Sequence, residues 1–325
     1  MLKKFHKEIE YCTYCPKLCR FACPVANASC SETDTPWGRQ SLLHLVAAGV
    51  QPFNREVALS TYHCASCLLC REYCDHELEI PTVMEAGRAM AVQNKVEPAE
   101  VADFKQFFAE HKNPMGDDLK SRLRAILPDK YFNPDAQVVY WPGCSAIYNT
   151  PKTIVDTFAV FDAMGIDYVG CWTGDEQCCG FPLATLGLYE PYEEQSKKVA
   201  KSLSGYKTII SGCPTCVYMF KSRYLAEGKK LTNKVYHISE FLAPLVAAGK
   251  FPMKKPFVQP VMYHDPCYLG RYLGVYDEPR QLLNEVLREP IIEFSYNHSD
   301  SMCCGGGGGM PTTAPGLSRE IAKNR

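Results

Sequence analysis

Cysteine is the residue type that could do chemistry here, with 18 copies in 325 residues. The stretch CTYCPKLCRFACP carries Cys12, Cys15, Cys19 and Cys23, closed by Pro24. The stretch CASCLLCREYC carries Cys64, Cys67, Cys70 and Cys74, and Asp75 stands where a proline usually follows. The second run has the C-x2-C-x2-C-x3-C spacing of bacterial iron–sulfur sites, and the first is one residue longer in its middle gap. Cysteines two residues apart share a tight loop and reach different irons of one cube. A fourth cysteine, three residues on, has entered a helix and serves the other cluster. The spacing therefore predicts one 4Fe–4S cubane on Cys12, Cys15, Cys19 and Cys74, and a second on Cys64, Cys67, Cys70 and Cys23. Structural zinc is the alternative, because paired CxxC motifs also hold zinc. It gives no reason for four cysteines in each run. Cys30 is left over and reads as a free buried thiol.

A second group of cysteines has a different pattern. Cys144 in WPGC is followed by the vicinal pair Cys178–Cys179, then by Cys213 and Cys216 in CPTC. Cys267 in HDPC is followed by Cys303–Cys304 and the glycines Gly305 to Gly309. Cys267 lies 123 residues after Cys144, and Cys303 lies 125 after Cys178. The near-equal offsets read as one cysteine-bearing module used twice. A flexible linker is the plain reading of the glycines. No Lys-Ser/Thr follows them, so a phosphate loop is disfavoured. Cys171 reads as a buried apolar residue. His264 and Asp265 could deliver a proton, although such residues more often satisfy loop backbone. Arg20 and Arg71 could steer a redox partner, but a solvated surface is the simpler reading.

The elements that position these thiols change character along the chain. Residues 81–93 and 98–111 are helical in period, each opening near a proline. From 138 on, short apolar strands alternate with helices. Strands are expected at 138–140, 167–171 and 208–211, and around VMYH after 260. Helices are expected at 151–164, at 190–203 and over PRQLLNEVLRE. This alternation predicts a parallel α/β sheet, with cysteines just past the strands' carboxyl ends, where such sheets bind ligands. The chain is 46% hydrophobic and 22% charged with a formal net charge of -1. Those values fit two or three globular domains and disfavour nucleic acid. The start MLKKFHKEIEYC lacks a signal-peptide core, and stretches such as LLHLVAAGV are too short to span a bilayer. A reducing, cytoplasmic setting is expected, which argues against disulfides.

The paired cluster runs in a helical frame resemble the α-helical ferredoxin domain of succinate dehydrogenase-type and heterodisulfide reductase-type proteins. The C…CCG…CxxC pattern, HDPCYLGR at 264–271 and CCGGGGG at 303–309 resemble the cysteine-rich CCG domain. That domain occurs in the B-type and D-type components of heterodisulfide reductase and in the iron–sulfur component of enzymes such as anaerobic glycerol-3-phosphate dehydrogenase. Two cubane runs followed by two CCG modules resemble the D-type component. The resemblance implies an α-helical dicluster ferredoxin domain (1–95), a helical linker (96–134), and tandem α/β, Rossmann-like CCG modules (135–255 and 256–325). It also implies a noncubane 4Fe–4S cluster on Cys144, Cys178, Cys179, Cys213 and Cys216. Glycines beside the pair would let backbone approach the sulfurs. Cluster-centred catalysis would fall to Cys178, Cys179, Cys303 and Cys304.

The second module supplies only Cys267, Cys303 and Cys304, since its CxxC is due near 338. Truncation, completion by another chain, or loss of that cluster would each explain this, and truncation is the favoured expectation. Two functions compete. One is a heterodisulfide reductase-like subunit that reduces a disulfide. The other is a non-catalytic wire for a flavin-dependent glycerol-3-phosphate, lactate or glycolate dehydrogenase feeding quinone. A cluster-dependent scaffold is a third. No GxGxxG fingerprint is present, so a flavin would belong to a partner. The expected partners are a flavoprotein, a ferredoxin or a membrane cytochrome b, with any membrane contact made through them at the inner face.

Overall fold

The computed structural model describes residues 2–175, 178–229, 231–251 and 256–325. Short helices come first: α1 (His6–Thr13), α2 (Pro24–Ser29), α3 (Pro36–Ala47), α4 (Arg55–Tyr62), α5 (Leu69–Glu72), α6 (Ile80–Asn94), α7 (Ala99–His111) and α8 (Leu119–Ile126). Pro24, Pro36 and Pro81 sit in first turns, where a missing N–H breaks no helical bond. Thr35 caps α3 by accepting from Gly38 N at 2.9 Å, and Asn54 caps α4 by accepting from Val57 N at 3.0 Å. Helix α6 is the axis of this region. Val83, Met84, Ala86, Arg88, Ala89 and Ala91 are all buried on it.

The alternating part follows as β1 (Val138–Trp141), α9 (Cys144–Asn149), α10 (Pro151–Ala163), β2 (Val169–Cys171), α11 (Phe181–Thr185), α12 (Tyr189–Leu203), β3 (Thr208–Ser211) and α13 (Pro214–Tyr218). A π turn at Met219–Arg223 leads to α14 (Tyr224–Ala226), β4 (Lys234–His237) and α15 (Ile238–Ala247). The strands form one parallel sheet in the order β2-β1-β3-β4. Successive side chains face opposite ways. Val139, Trp141, Ile209 and Val235 join the core under α12 and α13, which also takes in Tyr62 and Phe108 from the helical region. Tyr140 and Ile210 join Phe158 and Phe161 of α10 on the other face. Both faces are covered, which explains the apolar strands. The expected strands at 138–140, 167–171 and 208–211 are present. The sequence reading missed β4, whose KVYH carries too little apolar pattern to stand out.

The last part is smaller. β5 (Met262–Tyr263) pairs in parallel with β6 (Ile292–Glu293), and α16 (Asp277–Val286) lies between them in sequence. α17 (Met310–Thr313) and α18 (Pro315–Asn324) follow the glycine run. Ile321 of α18 and Met310 are buried against Val25 and Ala26 of α2, so the end of the chain returns to its start.

Candidate metal centres

The first cysteine run borders a cavity of about 450 Å³ lined by Cys12, Cys15, Cys19, Cys70 and Cys74. Burial pushes the Cys12 thiol up to about 12, and the neighbouring thiols Cys19, Cys15 and Cys74 add to this. Burial raises Cys19 to about 11, with Cys74 the next contributor. Cys74 thus lies among the thiols of the 12–19 loop. Cys23 makes the converse crossing and lies beside Cys67 and Cys64, its thiol raised by burial. Among the described residues no three Cys, His, Asp or Glu side chains converge on a single metal ion. The thiols surround a space instead. Crowded buried thiolates repel one another, and cationic iron is the partner that would relieve this and displace their protons. The donor set therefore fits iron–sulfur clusters.

The loop of the second run is held by its carbonyl oxygens. Arg39, buried on α3, donates to His63 O. Arg88, buried on α6, donates to Cys64 O at 2.8 Å. Tyr272 donates to Ser66 O at 2.9 Å, and Arg271 donates to Cys67 O at 2.6 Å. Ser66 and Leu68 take left-handed backbone, with φ of 50° and 61°. Gly307 and Gly308 press on the carbonyls of Ala65 and Cys64, where a Cβ would collide. Two of the five glycines thus serve a close approach to the loop of the second cysteine run. Near the sulfurs, Gly305 N donates to Cys303 Sγ at 3.3 Å, and its counterpart Gly180 N donates to Cys178 Sγ at 3.4 Å. A linker reading of these glycines is excluded.

The next five thiols gather past the carboxyl ends of β1, β2 and β3. Cys178 meets Cys144 and Cys179. Cys216 Sγ lies 3.5 Å from Cys179 Sγ, and Cys213 meets Cys216. At Gly143, with φ of 79°, a Cβ would stand 3.4 Å from Cys216 Sγ. Trp141 Nε1 is buried close by with no hydrogen-bond partner among the described residues. Tyr224 donates to Cys179 O at 2.8 Å, and Gln195 donates to Cys178 O at 2.8 Å. The π turn begins three residues after Cys216, and such turns recur at functional sites.

Cys267, Cys303 and Cys304 form the third thiol group, and it is not separate from the second cysteine run. Cys67 meets Cys303. The Cys67 thiol is drawn down to about 6, first by its hydrogen bond with Cys303, against burial, with Arg271 assisting. Cys304 is exposed, while Cys303 is buried. Four rings from segments next to this group and the five-thiol set pack together. Tyr268 and Tyr272 stack at 4.3 Å, Tyr218 lies 5.4 Å from Tyr268 and 4.9 Å from Tyr272, and Phe181 lies 5.1 Å from Tyr268.

Two sequence expectations change, those for Cys30 and Arg71. Cys30 is exposed, not buried, because it ends α2 in left-handed backbone with φ of 54° and faces water. Arg71 is no solvated steering charge. It pairs with Glu72 and Glu79 and donates to Arg271 O at 2.8 Å. Arg20 is surface-held by Glu32 at 2.6 Å. Asp265 is engaged bidentately by Arg280 at 2.6 and 2.7 Å and accepts from His298 N, so it organises its loop. His264 contacts Ser301 Oγ at 3.2 Å. Cys171 is buried at the end of β2. Sequence reasoning missed Arg39, Arg88 and Arg271. Their signal was arginine inside otherwise apolar helical stretches or directly after a cysteine motif.

A helical, cysteine-rich region joined to a parallel sheet with thiols at its carboxyl edge, and then to a second set of the same kind, defines a tandem cysteine-rich protein. The cysteine-rich CCG domain matches residues 138–221 and 261–325. The D-type component of the heterodisulfide reductase of Methanosarcina barkeri is 30% identical over 81% of this chain and 66% of that protein. The B-type component of fumarate reductase (CoM/CoB) from Methanothermobacter marburgensis is 31% identical over 81% of this chain and 52% of its own length. EtfAB:quinone oxidoreductase of Syntrophomonas wolfei is 29% identical over 76% of this chain and 36% of its own length. The chain belongs to the CCG-domain iron–sulfur proteins of the heterodisulfide reductase D type. It spans 66% of the length of the heterodisulfide reductase relatives it matches. No solved structure matches it.

Proposed function

We propose that this chain is an iron–sulfur redox subunit that carries single electrons from a partner protein to thiol sites where a disulfide is reduced. In this reading residues 1–95 form a dicluster ferredoxin-type domain. Cys12, Cys15, Cys19 and Cys74 hold one 4Fe–4S cubane, and Cys64, Cys67, Cys70 and Cys23 hold the second. Residues 135–255 and 256–325 are the CCG modules, and Cys144, Cys178, Cys179, Cys213 and Cys216 hold a further 4Fe–4S cluster. Bound clusters would supply one-electron transfer. The observation that carries the reading is the contact between Cys67 and Cys303, which joins the second cubane run to a CCG thiol pair.

The chain's own residues then divide the work. Cys304 is the exposed thiol of its pair, so an external disulfide can reach it. Cys178 and Cys179 are buried and need an opening to admit one. Two electrons and two protons convert the disulfide to two thiols. The electrons come from a flavoprotein, ferredoxin or membrane cytochrome b. No helix among the described residues is long and apolar enough to cross a membrane. The proposed setting is cytoplasmic, or peripheral at the inner membrane face through the partner.

A second reading has its own support. The rings of Phe181, Tyr218, Tyr268 and Tyr272, carried next to the two CCG thiol groups, pack on one another. Such packing suits a wire that relays electrons towards a quinone system better than a site that takes a disulfide between the groups. Anaerobically purified protein separates the readings through iron and acid-labile sulfide content with disulfide reduction from a viologen donor. About 12 iron atoms per chain with disulfide turnover supports the first reading. About 8 iron atoms without turnover, or a copurifying flavoprotein, supports the wire. Negligible iron rejects both.

A further inference from the structure

Arg271 stands where two thiol groups meet. Its Nε donates to Cys67 O at 2.6 Å, and its Nη1 donates to Ser299 O and Ser301 O at 2.8 Å each. It is 6% exposed, and its Nη2 is buried with no hydrogen-bond partner among the described residues. No ion pair ties Arg271 to a carboxylate among the described residues, whereas Arg280 and Arg71 each have one. The neighbours of this charge are Cys67 on one side and Cys267 on the other. Arg39 is a second buried guanidinium on the same run, with Nη2 3.6 Å from Cys23 Sγ. Its charge is partly offset by Asp34, which pairs with His63 at 2.9 Å. Around the Cys12, Cys15, Cys19 and Cys74 set, Arg39 acts on Cys12 more weakly than the neighbouring thiols do. Lys17, in the first loop, lies over Trp37 and pairs with Glu32 at the surface.

An added electron makes a cluster more negative. Burial disfavours that charge, and a fixed buried cation favours it far more than a solvated lysine can. The set Cys23, Cys64, Cys67 and Cys70 has three buried thiols against one in the set Cys12, Cys15, Cys19 and Cys74, and would be the harder to reduce without help. We propose that Arg271 is an electrostatic positioning residue that raises the reduction potential of the cluster on Cys23, Cys64, Cys67 and Cys70 above that of the cluster on Cys12, Cys15, Cys19 and Cys74. Electrons entering at the surface cavity then come to rest beside the Cys303–Cys304 pair. This rests on the two-cubane assignment.

The test is an EPR-monitored redox titration of full-length wild-type, R271Q and R271K proteins, with iron counted on each. In R271Q the more positive of the two cubane signals moves negative and the other stays. The electron's partition between them shifts about tenfold or more, equal to ~1.4 kcal/mol. R271K keeps the charge and recovers most of that shift. Movement of the more negative signal, of both equally, or of neither overturns the inference. If R271Q fails to load iron, R271K decides. A loaded R271K at the wild-type potential supports a charge effect, and any other result overturns it. Fewer than about 8 iron atoms in the wild type rejects the cubane assignment itself, which is a separate failure.

Discussion

Gly308 has no side chain because the carbonyl oxygen of Cys64 stands where one would be. Its φ of 64° adds strain for any other residue. Gly306 is different, since a Cβ there would touch only Cys304 Sγ at 3.5 Å. Gly308→Ala should therefore cost about 2–3 kcal/mol and strip the cluster next to Cys64, while Gly306→Ala should be nearly silent. Iron content and denaturant midpoints check this, and equal effects at both glycines would refute it. The crossed thiols make a second residue-scale prediction. Cys74→Ser and Cys12→Ser should abolish the same EPR signal, and Cys23→Ser and Cys64→Ser the other one. Loss of one common signal in Cys74→Ser and Cys64→Ser would contradict the crossing.

Elements bring the thiols to their places, and some are held by single side chains. His237 ends β4 and caps α15. Its Nδ1 accepts from Ser239 N at 3.3 Å, and its backbone N donates to Glu240 Oε2 at 2.9 Å. Burial lowers its pKa to about 4, although Gly212 O and Glu240 favour the charged form. The folded pKa lies below the ordinary value near 6.5. Unfolded chains therefore bind a proton that the folded chain refuses as pH falls through that window. Stability from this group is complete above about pH 6.5 and is lost progressively towards pH 4, by about 3 kcal/mol at most. His237→Asn keeps a capping acceptor and should flatten that part of the stability profile. Urea midpoints measured from pH 7.5 to 4.5 would show it, and an unchanged slope would count against the buried neutral histidine.

At the scale of the molecule, the helical region and the sheet share one core, and Arg88 is its fastener. It donates to Thr61 O at 2.8 Å, to Cys64 O at 2.8 Å and to Thr185 O at 2.6 Å, linking α4, a cluster loop and α11. Tyr62 adds a bond to Leu186 O at 3.3 Å, and Gly187 lets α11 close onto the α6 backbone. Arg88→Met would leave three buried carbonyls without donors and should cost about 3–5 kcal/mol. Calorimetry should then show the cooperative transition broadened or split. A single sharp transition at the wild-type temperature would argue against this role. Motif spacing alone revealed the thiols, the duplicated module and most strands and helices, because ligand spacing and apolar period are local properties. The contacts of Arg39, Arg88 and Arg271 with one loop, the pressing of Gly307 and Gly308 on that loop, and the meeting of Cys67 with Cys303 were not legible. They join residues as far as 244 positions apart. Only packing of the folded chain decides which buried carbonyl finds which donor.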